Sequence, residues 1–584
     1  MKFNKIHILS SVALMFSLSA CHDLDLNPLS SASSGNWNST EEQVEMAVND
    51  LYRVGFWRID GYQRGDWSDD FFSRNILDVF ENGTLNSGSS WVSQLWDRQY
   101  KAIARANSVI NTADRALANG AKPDAIARLV AEAKFHRAAA YSKLIVKFGD
   151  LPLVLEDKTT DEGLTMGRTD KAVVLEQIYR DFDDAAAVLP VSYDGVIRAT
   201  KGAALAFKAR VSLIMGDWAT AAASAKAVMD LGVYELHPNF EELFLPSTKS
   251  SKERVFTIPR ALGYNSEVGD NGDMDDYWDY GSEDTSLYNE LIRNAGGWAQ
   301  RNPSWELLAA YTCTDGKPID ESPLFDPHNP FDNRDLRLAA TIVPFGTVFL
   351  GYEFDPRPNV CKIMDYNKNV MKDNSDSYAT TQYASFNGLY WKKGIDASWT
   401  QNGFKTNPDI MWIRYADVLL MYAEAKIELN QIDKSVVDAM NAVRARAYGV
   451  DPSQTADYPA FTAESQEAMR NHIRVERRME FAKEGLRYTD MIRWRQAEKV
   501  MSRKIYGLVY PADECTRLLI DSGDWFWAVT PKIDPDGCAD FTNLEATGKY
   551  RVLSERAWNS RMYLWPIPSK EIQINSNMKQ NEGY

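Results

Sequence analysis

Aromatic rings beside directional hydrogen-bonding groups are the chemistry this chain carries in its loops. Tyr277, Trp278, Asp279 and Tyr280 are consecutive, and Tyr288 and then Trp298 follow, the latter with Gln300 and Arg301 close behind. A pyranose or furanose presents C–H faces that pack on an aromatic plane, while its hydroxyls need Asp, Asn, Arg or Gln as oriented partners. Trp278 with Asp279, and Trp298 with Gln300 and Arg301, supply both halves of that recognition. The alternative is that these rings anchor their loop to the body. Asn387, Tyr390, Trp391 and Trp399, near Gly388 and Gly394, form a weaker cluster of the same kind.

The segment 269–280 also gathers oxygen ligands, with Asp273, Asp275 and Asp276 as candidates for a structural Ca²⁺. Its spacing departs from the EF-hand, and a solvated acidic loop is the simpler reading. No other cofactor is expected. Catalytic signatures are missing: the chain has no G-x-S-x-G elbow, no phosphate-binding G-x-x-x-x-G-K-[ST] loop and no H-E-x-x-H. His7, His22, His136, His237, His328 and His472 show no pair at metal spacing. A glycoside hydrolase remains an alternative, because its two carboxylates need only lie about 5 to 9.5 Å apart in space.

With 65 basic against 81 acidic side chains and a net charge of −16, a nucleic-acid partner is disfavoured, and no run of five or more basic residues offsets this. The 584 residues, 45% apolar and 12% aromatic, suffice for a large core. Seventeen Trp and 27 Tyr at a mean hydropathy of −0.39 are many rings for so polar a chain, and some are expected to face solvent.

Lys2 and Lys5 precede an apolar run over 6–18, too short to span a bilayer, and Leu18-Ser19-Ala20-Cys21 closes it. This resembles a bacterial lipobox, so residues 1–20 read as a lipoprotein signal peptide and acylated Cys21 as the mature N-terminus and lipid anchor. Residues 21–37 read as a flexible tether. Cys313, Cys361, Cys515 and Cys538 remain, and three pairings are open. Cys515 and Cys538 share one Pro/Gly/Asp-rich stretch and are the disulfide candidates, the alternative being free buried thiols.

The elements that must position the rings are mostly helical. An i, i+3/i+4 apolar stripe runs over 123–148, with Gly149 and Pro152 to stop it. Helices over 201–215 and 219–229 joined by Gly216-Asp217-Trp218 resemble a tetratricopeptide unit, and 413–429 with 433–446 repeats that organisation. Further helices are predicted over 40–53, 91–117, 171–189 and 473–496. The last carries Arg477–Glu480, Glu480–Lys483 and Glu484–Arg487 at i, i+3, which reads as a solvated, salt-bridged face. Trp96, Trp412 and Trp494 read as core. The expectation is a mainly α single domain over 38–584: helical repeats at about 40–235 and 409–500, a loop-rich ligand half at about 236–408 and 501–562 with short strands such as 255–258, and a C-terminal segment 563–584.

Several segments, taken in order, resemble the SusD/RagB family of outer-membrane nutrient-uptake lipoproteins of Bacteroidetes. They are the lipobox and HDLDLNP, EAKFHRAAAYSKLIVKFGDLPLV (132–154), TKGAALAFKARVSLIMGDW (200–218), TDGKPIDESPLFDP (314–327), NRDLRLAATIV (333–343), IRYADVLLMYAEA (413–425), ERRMEFAKEGLRYTDMIRW (476–494) and YLWPIPSKEIQINSNMKQNEGY (563–584). Leu336 and Glu582 each stand where the family usually has Pro. The resemblance implies a SusD-like fold with tetratricopeptide-like helix pairs packed on a loop-rich half. It also implies a non-enzymatic, lipid-anchored protein of the cell outer membrane, facing the exterior, that captures an oligosaccharide or polysaccharide as a lid on a SusC-like TonB-dependent transporter. A minority of the family resemble peptide-capturing lids. In the family the loop between the first two helices, and the residues before the W-x-x-x-Y helix (here Trp96 to Tyr100), commonly touch ligand. The resemblance therefore implies Trp67, Asp69, Asp70, Arg74 and Trp91 as further contacts.

Overall fold

The computed structural model describes residues 37–58, 67–74, 77–262, 286–378 and 381–584. Cys21 and the rest of residues 1–36, and the acidic aromatic segment with Asp273, Asp275, Asp276, Tyr277, Trp278 and Tyr280, lie outside the described residues.

The longer helices are α1 (Glu41–Asp50), α2 (Ser90–Thr112), α3 (Pro123–Phe148), α4 (Lys171–Val188), α5 (Lys201–Met215), α6 (Trp218–Met229), α7 (Tyr415–Glu428), α8 (Lys434–Ala447) and α9 (Gln466–Phe481), followed by the short α10 (Arg487–Arg493). Their ends obey local chemistry. The Thr200 side chain caps α5 by accepting from the Ala203 N–H, and Gly216, at φ +82°, ends it in the left-handed region. Asp217 caps α6 through the Thr220 N–H, and Asp433 caps α8 through the Ser435 N–H. Ala131, Ala133, Ala138, Ala139 and Ala140 bury the small-residue face of α3 among its neighbours. Helices α2 to α8 pack in sequence order, each on the next, and α9 packs on α7. That order holds from α6 to α7 even though residues 230–414 intervene.

The excursion between α6 and α7 is short-stranded and irregular. Its strands, with those of the neighbouring stretches, are β1 (Phe71–Ser73), β2 (Arg254–Ile258), β3 (Arg301–Pro303), β4 (Thr347–Phe349), β5 (Tyr352–Phe354), β6 (Lys362–Asp365), β7 (Val370–Asp373), β8 (Ile410–Arg414), β9 (Lys504–Gly507), β10 (Lys532–Ile533), β11 (Ala539–Asp540) and β12 (Arg551–Glu555). All pairings are antiparallel: β4-β5-β6-β7 form one sheet, and β1 with β3, β2 with β8, β9 with β12 and β10 with β11 form two-stranded ladders. Residues 410–414 are thus a strand, which moves the start of the helix predicted at 413 to Tyr415. One apolar core lies among the helices, and a second gathers Trp305, Trp391, Trp399 and Trp527 in the loop-rich half.

Buried charge crosses the boundary between the two cores. Glu480 meets Arg337 at 2.9 Å and Arg414 at 2.6 Å, and also Arg446. Glu253 accepts from Arg414 and Arg446, each at 2.7 Å, and Glu476 from Arg337 and Arg444, each at 2.7 Å. Beside this set, Asp417 binds Arg210 and Arg477, and Arg477 also reaches Asp490 at 3.1 Å. Apart from the half-buried Arg210 these groups are buried, so each charge is stable only because its partners replace the lost water.

This corrects the reading of 473–496. The helix breaks after Phe481, where Lys483 and Gly485 take φ values of +64° and +76°. Among the described residues none of the three local i, i+3 pairs forms. Arg477 and Glu480 turn inward to the partners above, Lys483 binds Glu290 at 2.7 Å, Glu484 binds Lys393 at 2.6 Å, and Arg487 binds Asp69 at 2.7 Å. Long-range partners outcompete neighbours because a desolvated pair interacts more strongly than one in water. Trp96 is core as expected, while Trp412 and Trp494 are half-buried; the Trp412 indole donates to the Trp57 carbonyl at 2.8 Å and the Trp494 indole to Glu424 at 2.8 Å.

Replacing Glu480→Gln should therefore lower unfolding stability by about 3–5 kcal/mol, because it leaves buried guanidinium charge uncompensated. Urea denaturation checks this, with Lys434→Gln, in the exposed Lys434–Asp438 pair, leaving the midpoint unchanged. The network also fixes an acid dependence. Burial opposes ionisation of Asp417, but Arg210 and Arg477 outweigh it and hold the carboxyl at about 2. For Glu480, burial is likewise outweighed by Arg446, Arg414 and Arg337, which hold it below the usual range. As pH falls, the unfolded chain takes up protons first. The stabilisation is complete above roughly pH 4.5, the ordinary carboxylate range, and is lost as pH falls towards about 2. Urea midpoints measured across that window should fall steadily with acidification.

Candidate ligand-binding site

The β1–β3 ladder sets Phe71, Phe72 and Ser73 opposite Pro303, Asn302 and Arg301. It extends by one bond, from the Arg74 N–H to the Gln300 carbonyl at 2.8 Å, so the residue after β1 and the turn before β3 emerge side by side. Phe71 and Phe72 are buried, and Arg556 donates to the Phe71 carbonyl at 2.9 Å from beneath.

The turn before β3 displays Trp298. Gly297 sits so close to Leu291 that a Cβ there would lie 2.1 Å from the Leu291 carbonyl oxygen, which demands glycine. Gly296 at φ +92° and Ala299 at φ +51° reverse the chain on either side of it. The Trp298 N–H donates to the Tyr288 carbonyl at 2.6 Å, and the Gln300 N–H to the Asn289 carbonyl at 2.8 Å. Trp298 is left 48% exposed, and the half-buried Tyr288 ring lies 4.5 Å away at 60°. Two rings at that angle form a corner open to solvent.

Arg74 extends the surface on the other side. Its guanidinium lies 5.3 Å from the Tyr383 ring centre and 5.7 Å from that of Phe386, and donates to the Tyr383 carbonyl at 3.2 Å. Arg551 covers the same Phe386 ring at 5.1 Å and Tyr510 at 5.3 Å. Tyr383 and Tyr510 are 50% and 49% exposed. Tyr378 lies beneath them, 5.5 Å from Tyr510 and edge-on to it, and burial raises its phenol far above the ordinary value. Partial burial, and then the nearby Arg293, lower the pKa of Arg74. The loop carrying Tyr383 and Phe386 is pinned to β3: Asn302 donates to Ser385 at 2.7 Å, Asn387 to the Pro303 carbonyl at 2.7 Å, and Trp305 to the Asn387 carbonyl at 2.8 Å. Flat apolar faces and forked N–H donors are therefore presented together on rigid backbone.

Of the residues expected from the sequence, Arg74, Tyr288 and Trp298 meet on this surface. Trp67, Asp69 and Asp70 do not, which corrects their reading as ligand contacts. Trp67 is buried against Phe80, Trp91, Tyr488 and Trp565. Asp69 and Asp70 bind Arg478 at 2.9 and 2.7 Å in the interior. Burial opposes Asp69 ionisation, but Arg478 and Arg487 hold its carboxyl well below the usual range; burial, with repulsion from Asp69, raises that of Asp70. Trp91 is half-buried, its indole donating to Asp78 at 3.1 Å. Asn387, Tyr390, Trp391 and Trp399 are all interior, where they hold the second core together. Tyr383, Phe386, Tyr510 and Arg551 were not anticipated: the only signal was a ring in an irregular stretch, and many rings share it. Among the described residues no group of three or more His, Cys, Asp or Glu is placed to hold a metal ion.

The disulfide expectation is also corrected. Cys515 and Cys538 are free and buried, in different surroundings. Burial alone pushes the Cys515 thiol up to about 12, whereas Cys538 lies 3.8 Å from an Arg487 nitrogen. Thiol titration of the unreduced, denatured protein should accordingly count Cys313, Cys361, Cys515 and Cys538 as reactive, and a shortfall of two would restore the bond.

A helix array that carries a loop-rich half with rings turned to solvent is a scaffold for holding a ligand at its loops. The chain belongs to the SusD family, whose profile matches residues 253–584, and residues 27–213 match a second profile described as "Starch-binding associating with outer membrane". It is 24% identical to SusD-like protein P2 of Formosa agariphila over 99% of this chain and 100% of that protein. A SusD-like carbohydrate-binding protein of Bacteroides fragilis has a solved structure that superposes with a TM-score of 0.73 at 29% identity, covering 93% of this chain and 100% of the other. A further solved structure, with xylogluco-oligosaccharide, superposes at a TM-score of 0.60 and 20% identity over 91% of this chain and 97% of the other, a likeness of fold.

Proposed function

We propose that the protein binds a glycan at the surface formed by Tyr288, Trp298, Arg74, Tyr383 and Tyr510, without chemical change to it, and serves as an outer-membrane capture protein. The observation that carries this reading is the solvent-facing corner of Trp298 and Tyr288 beside the Arg74–Tyr383 pair, held by the β1–β3 ladder. Sugar C–H faces stack on such rings, and hydroxyls accept from guanidinium N–H groups. The carbohydrate-binding relative and the structure with xylogluco-oligosaccharide support the same class of ligand. The description of the second family profile supports association with the outer membrane. In this proposal acylated Cys21 anchors the protein at the cell exterior, and a SusC-like TonB-dependent transporter receives the ligand as the protein closes over it. The work of import belongs to the transporter, so the protein needs only to bind and release.

A ring contributes about 0.5–1.5 kcal/mol beyond the area it buries, so a single glycan site should bind in the micromolar to millimolar range. Affinity electrophoresis through gels holding plant, fungal and host polysaccharides, beside a reducing-sugar assay, tests the reading. Retardation without released sugar is the expected result, and Trp298→Ala should weaken binding about tenfold. Released sugar would make the protein a hydrolase, and retardation by no polysaccharide would put peptide capture in its place.

A further inference from the structure

We infer that the preferred ligand is an acidic glycan, bearing carboxylate or sulfate groups that Arg74, Arg293 and Arg551 receive beside the aromatic platform. The inference rests on the proposed glycan site and names the chemistry of its ligand. Among the described residues none of these three guanidinium groups has a carboxylate at ion-pair distance, and the Asp376 carboxylate meets Arg293 at its backbone N–H, at 2.7 Å. Arg74 is engaged with the Tyr383 carbonyl and two rings, and Arg551 with two rings. Arg293 donates one nitrogen to the Gly297 carbonyl at 3.2 Å, immediately before Trp298, while its Nε is buried with no hydrogen-bond partner.

The arginines of the buried ion network are held differently. Arg337, Arg414, Arg446, Arg477, Arg487 and Arg493 each bind at least one carboxylate. Carboxylates are in excess in a chain with 81 acidic and 65 basic side chains, and single arginines such as Arg334 are held by backbone carbonyls instead, but Arg74 and Arg551 share one ring beside exposed tyrosines. Arg74 and Arg293 are also close enough to repel, and Arg74 and Arg551 face one ring, Phe386. Like charges held together are costly, and an anion binding between them lowers that cost. A guanidinium fork matches the paired oxygens of a uronate carboxylate or of a sulfate ester, which a neutral sugar lacks. The local positive charge also offsets the repulsion that a net −16 protein exerts on a polyanion.

Isothermal titration of the purified protein with polygalacturonate, a sulfated galactan and neutral xyloglucan tests the inference. The expected result is tighter binding of at least one acidic polymer than of xyloglucan, with an affinity that falls as salt is raised. Comparing the two acidic polymers distinguishes carboxylate from sulfate as the recognised group. Arg74→Gln and Arg551→Gln, made singly, should each weaken the acidic polymer about tenfold, a larger factor than either costs xyloglucan. If a variant fails to fold, the salt dependence of the parent decides. Binding of xyloglucan with no preference for either acid, or salt-independent acid binding, would overturn the acidic assignment and leave the glycan site standing. Failure of all three polymers would overturn both.

Discussion

Glu480 is surrounded by Arg337, Arg414 and Arg446, and those arginines in turn hold Glu476, Glu253 and Glu484, so that removing any one charge strands the others away from water. The network draws its members from strand, helix and loop: Arg414 closes β8, Glu480 ends α9, and Arg337 belongs to the loop-rich half. Apolar contact is forgiving of small shifts, whereas forked ion pairs in the interior tolerate few geometries. The charges therefore act as a register between two cores that apolar packing alone would leave free to slide.

That register reaches the proposed ligand surface by short steps. Arg478 and Arg487, on the same stretch of chain as Glu480, grip Asp69 and Asp70 just ahead of β1. β1 pairs with β3, and β3 fixes both the Trp298 turn and, through Asn387, the Tyr383 loop. Asp69 and Asp70 thus serve the proposed surface from below, by fixing the strand on which it is built.

The helices were legible because their signals are local. The stripe over 123–148 and the Gly216-Asp217 turn place α3, α5 and α6 to within a residue or so, since capping and apolar spacing are decided by neighbours in sequence. The charge-rich segment misled for the complementary reason. Arg477 and Glu480 have suitable partners three residues away, but their actual partners lie 13 and 60 residues from Arg477 and 34, 66 and 143 residues from Glu480, and no spacing rule encodes that. At the proposed site, Trp298 and Tyr288 stood out because they lie in an irregular stretch, Trp298 with Gln300 and Arg301 close behind. Trp67 and Trp391 have the same composition around them and are interior. Burial, not residue type, separates a platform from a core ring, and burial is a property of the whole fold.

The pairing of β2 with β8 has a consequence for how such a protein can vary. The two strands bring the ends of a long excursion, residues 259–409, to one point beside the helix array, and the Tyr415 N–H bonded to the Glu253 carbonyl at 2.7 Å closes the junction. With its ends fixed, a loop within the excursion lengthens at little entropic cost, about 0.6 kcal/mol per doubling. The helices need not register the change. Diversity in ligand can thus accumulate in the excursion by insertion and deletion, while the array that carries it keeps a constant length and shape.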